Sequence, residues 1–293
     1  MSATGFTKKR IDVTISLATG AGSFDGTGNN TVKLSGLRMM ADMINAGGES
    51  MGALQLRVFG LPQSMMNQLT NIGGVSRVDP LNKVLLEAGD DAGGMQMVFM
   101  GTIYNAWGDY SSQPDAALNI LANAGMDAFI KPVGPSSYGN PSTDVATIMA
   151  DLAKTMGLGF ENNGVQVKLS YPYFPGTALA QVRACARAAR INYSVDRGTL
   201  AIWEQGTGRD GEIPVISPSS GMVGYPHAVG SKVISLKTLF NSSIRPGSHV
   251  MVDSSLPMAN GKFRVGPVSH SLSSELPGGP WFTTLEECYF VSK

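Results

Sequence analysis

The amino-acid sequence predicts a mainly β protein with an α+β module, in which two β-barrel segments flank or interleave with a small α+β segment. Three observations carry that class. Apolar and polar residues alternate with period two within residues 1–110 and again after about residue 212, helical spacing is confined between Ser142 and Arg190, and Gly, Asn and Pro clusters interrupt the alternating runs. At 293 residues the chain exceeds what one compact core usually holds, so two or three domains are expected.

The first segment is residues 1–110. Arg10 to Leu17, Thr31 to Leu37 and Leu54 to Phe59 alternate, and Lys83 to Glu87 and Met95 to Tyr104 continue the strands. Gly20 to Asn30, Asn45 to Gly52 and Gly89 to Gly94 supply turns and loops between them, and an antiparallel barrel or sandwich is the natural closure. After Tyr110 the period changes, and residues 111–211 form the expected α+β segment. Ser142-Thr143-Asp144 offers N-cap oxygens, Val145, Ile148, Met149, Leu152 and Met156 recur at helical spacing, and Gly157 closes the helix. Val165 to Leu169 reads as a short strand. A second helix spans about Gly176 to Arg190, apolar at Leu179, Val182, Ala186 and Ala189, with Arg183, Arg187 and Arg190 on another face. Asn192 to Val195 and Thr199 to Trp203 then form a hairpin about Asp196-Arg197-Gly198. Residues 212–293 return to strands at Lys232 to Phe240, His249 to Asp253, Lys262 to Leu272 and Trp281 to Val291. They make a second barrel, or else residues 212–240 complete the first.

Charged residues are 15% of the chain and balance to zero, so no long-range field draws it onto nucleic acid or anionic lipid. With 36 Gly and 16 Met, much of the surface is weakly polar, which suits surface that becomes interface in an assembly. The pairs Met39-Met40 and Met65-Met66 and the run Met95 to Met100 fit either ordinary core or an adaptable interface. Cys185 and Cys288 lack CxxC spacing and read as reduced, packed thiols, in keeping with folding in the cytoplasm. The N-terminus has no secretory-signal pattern, and no uninterrupted apolar stretch of about 18 residues suggests a membrane-spanning helix.

The sequence offers little for catalysis. His227, His249 and His270 sit outside any HxxxH or HExxH pattern, and Thr19 to Gly26 lacks both GxGxxG spacing and a GK[ST] lysine. No GxSxG elbow activates a serine, Glu286 and Glu287 point to opposite faces of a strand, and Asp90-Asp91 lies in a glycine-bounded loop. Trp107, Trp203 and Trp281 sit at strand ends without the spacing of a carbohydrate platform. The expectation is a structural protein with no catalytic, cofactor or metal site. The stripe Arg183, Arg187 and Arg190 is the candidate for docking a partner, with a solvated helix face as the plainer reading.

Several motifs, in order, resemble the baseplate hub or late-control family of contractile-tailed bacteriophages. Asn241-Ser242-Ser243-Ile244-Arg245-Pro246-Gly247 runs on to Val250, and Asn260-Gly261-Lys262-Phe263-Arg264-Val265 follows it; Pro277 to Glu286, including Trp281, extends the match. On the N-terminal side Phe99-Met100-Gly101-Thr102-Ile103 resembles the family's F-x-G-x-I strand. The motif residues are architectural: Pro246 fixes φ, Gly247 permits a tight turn, and Asn260-Gly261 reads as a hairpin turn.

This resemblance implies two tail-tube-like β-barrels per chain and a homotrimeric hub. Such a hub joins a hexameric tail tube to a three-fold central spike, contacts other baseplate proteins and leaves a channel for DNA ejection. It also implies a place in the virion tail baseplate. Some relatives carry a fused lysozyme or spike, and a chain ending at Lys293 leaves cell-wall lysis to another protein. The alternatives are a tail-associated peptidoglycan hydrolase and a tail-tube or connector protein.

Overall fold

The computed structural model describes residues 7–18, 20, 23–24, 28–70 and 81–292. The chain divides into two compact units, each assembled from separate stretches. Unit 1 comprises residues 1–43, 53–124 and 270–281, and unit 2 comprises residues 44–52, 125–269 and 282–293.

Unit 1 opens with β1 (Lys9–Ser16), β2 (Thr31–Leu34), β3 (Met39–Asn45) and β4 (Ala53–Phe59), followed by the short helix α1 (Gln63–Leu69). β5 (Lys83–Asp90), β6 (Gly94–Asp109) and β7 (Ala117–Asn123) complete its N-terminal part. The strand order is β3-β4-β7-β6-β5-β1-β2. Period-two alternation sends Ile11, Val13, Ile15, Leu56, Val84 and Leu86 into the core, each essentially inaccessible. Each such side chain contributes about 1.5–3 kcal/mol of burial. Met39 lies on β3 and Met66 on α1, both in the core rather than at an open surface.

After the stretch 44–52, unit 2 continues with α2 (Met126–Ile130), the two-residue strands β8 (Ser136–Ser137) and β9 (Thr143–Asp144), and helix α3 (Val145–Thr155). β10 (Gly159–Asn163), β11 (Lys168–Leu169), β12 (Tyr173–Phe174) and helix α4 (Ala178–Ala189) follow. The hairpin is β13 (Ile191–Asp196) with β14 (Thr199–Glu204). Next come β15 (Val215–Ile216), β16 (Met222–Gly230), β17 (Val233–Leu239), β18 (His249–Val252) and β19 (Gly261–Val265). β20 (Val268–Ser274) and β21 (Trp281–Ser292) close the chain, and most of β20 belongs to unit 1.

Asp144 caps α3 by accepting from Ala146 N at 3.1 Å, and Thr177 caps α4 by accepting from Ala180 N at 3.4 Å. Val145, Ile148, Met149 and Leu152 of α3 meet Val182, Cys185 and Ala186 of α4 over the sheet β10-β14-β13. A second core gathers Ile216, Leu236, Ile244, Val250, Phe263, Leu285 and Cys288 between β15-β18-β19-β21 and the neighbouring β17 and β16.

The mainly β class holds, with few helices. Among the described residues, no strand pairing closes either unit into a barrel. On the outer edge of unit 1, β2 pairs with β1 over only four residues, which leaves few backbone groups for closure.

Several boundaries also move. β7 belongs to unit 1, although it follows Tyr110: it lies between β4 and β6 with both faces covered, so Ala-Leu-Asn-Ile-Leu-Ala-Asn shows no alternation. The expected strand at Val165 to Leu169 shrinks to β11, because Asn162 Oδ1 accepts from Val165 N and turns the chain there. Lys262 to Leu272 is interrupted at Gly266-Pro267 into β19 and β20. Asn260-Gly261 is not a two-residue hairpin turn. β18 and β19 are joined by Asp253 to Asn260, whose Asn260 amide bonds Ser254 N, Oγ and O. The glycine-rich segment Thr19 to Gly26 lies largely outside the described residues.

Asp90 governs the turn between β5 and β6. Its Oδ1 accepts from Ala92 N and Gly93 N at 3.0 and 2.6 Å, and its Oδ2 accepts from Thr7 Oγ1 and Lys9 Nζ. The Gly93 amide foremost, then Lys9, pulls the carboxyl down to about 2. A carboxylate with a folded pKa below its unfolded value stabilises the fold above about pH 4, and loses that contribution as pH falls toward 2. Asp90→Ala should cost about 1–2 kcal/mol at pH 7 after allowance for partial exposure. Urea midpoints of parent and variant should converge between pH 4 and 2.

Cys185 and Cys288 are free and buried, and burial pushes both thiols up to about 12. Intact-mass measurement should therefore show neither alkylated at pH 8 in the native protein, and both alkylated in urea.

Candidate functional site

Chemistry in unit 2 concentrates where the β13–β14 hairpin meets the loop before β18. Arg197 and Gly198 form the hairpin turn with φ of 50° and 71°, the left-handed pair that a two-residue turn requires. The turn buries the Arg197 side chain, whose Nη1 donates to Ser242 O at 2.6 Å. Asn241 shapes the same loop by accepting from Ser243 N and Oγ, while its own N donates to the fully buried Thr283 Oγ1.

Arg245-Pro246-Gly247 makes the corner. Ser248 Oγ donates to Arg245 O at 2.7 Å and closes the turn. Gly247 has φ of 86°, donates its N to Val265 O and accepts from Arg209 N at 2.7 Å. A methyl group on Gly247 would stand 2.7 Å from the Trp203 ring, and one on Gly208 would stand 2.4 Å from Gly247 O. The corner is therefore packed to backbone contact between two chain segments. Beside it lies a cleft of about 300 Å³ lined by Tyr193, Trp203, Pro246, Gly247, Arg264 and Tyr289.

Five charged groups surround this corner. Arg209 grips Glu161 with both arms, Nε to Oε1 at 2.9 Å and Nη2 to Oε2 at 2.5 Å, and its side chain is 4% exposed. Burial pushes the Glu161 carboxyl up, but the bonds and charge of Arg209 outweigh it and the net shift is downward. Asp196 stands 3.7 Å from Arg197 Nε and 3.5 Å from Arg245 Nε. Burial draws the Arg197 guanidinium down to about 10, which leaves it cationic at neutral pH.

The motif residues divide between the units. Asn241, Arg245, Pro246 and Gly247 form the corner, while Gly261 opens β19 opposite Val252. Phe99 and Gly101 are on β6 in unit 1, where a methyl on Gly101 would meet the Phe99 ring at 2.7 Å. Trp281 starts β21, with Lys9 Nζ 5.9 Å from its ring centroid. Arg183 donates to Glu49 O, Arg187 Nε donates to Glu49 Oε1, and Arg190 ends α4 in the left-handed region with its side chain exposed.

Glu161, Asp196, Arg197 and Arg209 were not singled out as site residues. Their one signal is the presence of Arg197 and Arg209 in short glycine-containing turns, which looks the same for a solvated arginine. Among the described residues, no group of three or more His, Cys, Asp or Glu side chains is placed to hold a metal ion. No helix of the described residues is long and apolar enough to cross a membrane.

This mainly β architecture with its α+β insert is a fold shared with solved tail proteins and with a component of a type VI secretion system. A tail protein from Neisseria meningitidis superposes with a TM-score of 0.59 at 10% identity, covering 95% of this chain and 96% of that one. A 43 kDa prophage tail protein from Shewanella oneidensis gives 0.57 at 10% identity, with 97% of each chain covered. An Escherichia coli component of the type VI secretion system, described as structurally similar to the T4 tail proteins gp27 and gp5, gives 0.57 at 10% identity over 87% of this chain and 74% of that one. No curated protein matches the sequence. The family described as Baseplate hub gp41 matches residues 22–286, and the chain belongs to that family. It is a structural component of the bacteriophage tail baseplate.

The corner itself can be tested. Gly247→Ala combines a left-handed φ with a ring clash and should cost about 3 kcal/mol. Chemical denaturation of the purified variant measures it.

Proposed function

We propose that this chain is the homotrimeric hub of the baseplate, joining the hexameric tail tube to the three-fold central spike and leaving a channel through which DNA is ejected. The observation that carries this reading is the family match over residues 22–286, together with a fold shared with tail proteins along nearly the full chain. A chain with two β-rich units suits the matching of two symmetries, since three copies present six such units to a six-fold tube. The role is structural rather than enzymatic, needs no cofactor, and places the protein in the virion after assembly in the host cytoplasm. Its partners are the tube protein, the spike and other baseplate proteins. Arg183, Arg187 and Arg190 offer a cationic helix face to one of them, with Arg187 still 69% exposed while bound to Glu49.

Copy number in purified virions tests the proposal. Three copies per particle at the tail tip, seen in a reconstruction and by quantitative mass spectrometry, is the expected result. Many multiples of six would make the chain a tube or connector protein. Clearing of cell walls in a zymogram would make it a peptidoglycan hydrolase.

A further inference from the structure

Two complementary features of unit 2 sit at opposite ends of one hairpin. β18 and β19 pair from His249 opposite Arg264 to Val252 opposite Gly261. Beyond the Val252 end, the loop Asp253 to Asn260 carries Leu256 and Met258 outward, and Met258 is 95% exposed. Beyond the His249 end lies the cleft of about 300 Å³, whose walls include Tyr193, Trp203, Pro246, Pro267 and Tyr289. The length of β19, about 13 Å at the usual strand rise, separates the two, so the loop does not fold back into the cleft of its own chain.

The loop is held in place. Asn260 Oδ1 accepts from Ser254 N at 2.7 Å and Asn260 Nδ2 donates to Ser254 O at 2.9 Å, while Ala259 is buried and its N donates to Leu256 O at 2.9 Å. Pro257 opens the turn with a restricted φ. Met258 is therefore an apolar anchor on a frame with little freedom left to lose, which lowers the cost of docking it. Exposed Val215 on neighbouring β15, and Ile213 before it, widen the apolar patch.

The cleft offers the matching chemistry. Its aromatic rings suit a thioether, and Trp203 Nε1 is a buried donor with no hydrogen-bond partner among the described residues, available to an entering carbonyl. The charges match as well. Arg264 on the cleft wall lies over the Tyr289 ring and donates to Thr207 O at 3.4 Å, Asp253 at the base of the loop is exposed, and neither has an ion pair among the described residues. Glu287, the other charged group of the wall, accepts from the Tyr289 hydroxyl.

We propose that Met258 of one copy of this chain enters the Tyr193–Trp203–Tyr289 cleft of a second copy, with Asp253 meeting Arg264 across the contact. A second copy is the occupant because the chain itself carries both halves of the contact, on ends of a hairpin that cannot meet within one molecule. Each copy then gives a loop and receives one, a head-to-tail contact that can close into a ring. The inference rests on the baseplate hub reading for a ring of three, and it supplies the contact that holds that ring together.

The test uses the full chain carrying Met258→Cys together with Ala46→Cys. Ala46 lines the cleft, and the native Cys185 and Cys288 are buried. Mild oxidation of assembled tails should give a covalent ladder ending at the trimer, and neither single variant should give one. In analytical ultracentrifugation of purified chains that fold by circular dichroism, Met258→Asp should weaken self-association about tenfold or more, and Met258→Leu should retain it. Asp253→Arg and Arg264→Asp should each weaken it and together restore it. Absence of a cross-link in tails overturns the proposal, even where the purified chain is monomeric. Self-association of Met258→Asp equal to that of the parent overturns it too, as does a different tail protein joined to Ala46→Cys. A ladder from the purified chain with no copies at the tail tip would instead remove the hub reading and leave the contact standing.

Discussion

The approach of Gly247 to the Trp203 ring sets the terms for much of unit 2. Trp203 lies one residue before the end of β14, Gly247 precedes β18, and Gly208 lies between them in sequence with its own backbone against Gly247 O. Only residues without a β-carbon allow this three-way contact, so the hairpin and the C-terminal sheet meet at a fixed spacing. The neighbouring bonds follow from that spacing. Arg209 N reaches Gly247 O and places the Arg209 guanidinium on Glu161 of β10, while Arg197 at the far end of the hairpin reaches Ser242 O. One close contact thus aligns the α+β part of the unit with its C-terminal strands.

The charged groups divide by position rather than by number. Exposed pairs such as Arg187 with Glu49, or Lys33 with Glu87, are screened and each contributes little. Arg197 with Asp196 lies where water is largely excluded, and Arg209 is buried against a half-buried Glu161. Removal of one partner there leaves a charge without compensation. A chain with 15% charged residues that buries several of them around one corner gains geometric specification there, since a bidentate arginine tolerates few orientations.

The sequence made local structure legible wherever period and caps agreed. Helix α3 was readable because Asp144 marks its start and Gly157 its end, and α4 because apolar residues recur at helical spacing between about Gly176 and Arg190; the Thr177 cap and the left-handed Arg190 emerge only in the structure. The hairpin was readable from Asp196-Arg197-Gly198, and the corner from Pro246-Gly247. Strand β7 was hidden, because burial on both faces erases alternation. The assembly of each unit from separated stretches was also hidden, since no local pattern states that residues 44–52 belong with residues 125–269. The resemblance to hub proteins located Arg245 as part of a motif, but its neighbours Arg209 and Glu161 are 48 residues apart and meet only in the folded chain.

The family-like motifs acquire a common physical meaning in the structure. Gly101 gives space to Phe99 two residues before it and Gly247 gives space to Trp203 from another strand, and outside the motifs Gly266 approaches the Tyr289 ring at a distance of 3.0 Å for an added methyl. In each case a glycine removes a side chain so that an aromatic ring can lie against backbone, which exchanges conformational entropy for a large, shape-specific contact. Contacts of this kind fix where strands sit without demanding any reactive group. That is the requirement on a structural component of the tail baseplate: the rings and glycines maintain the spacing of its strands.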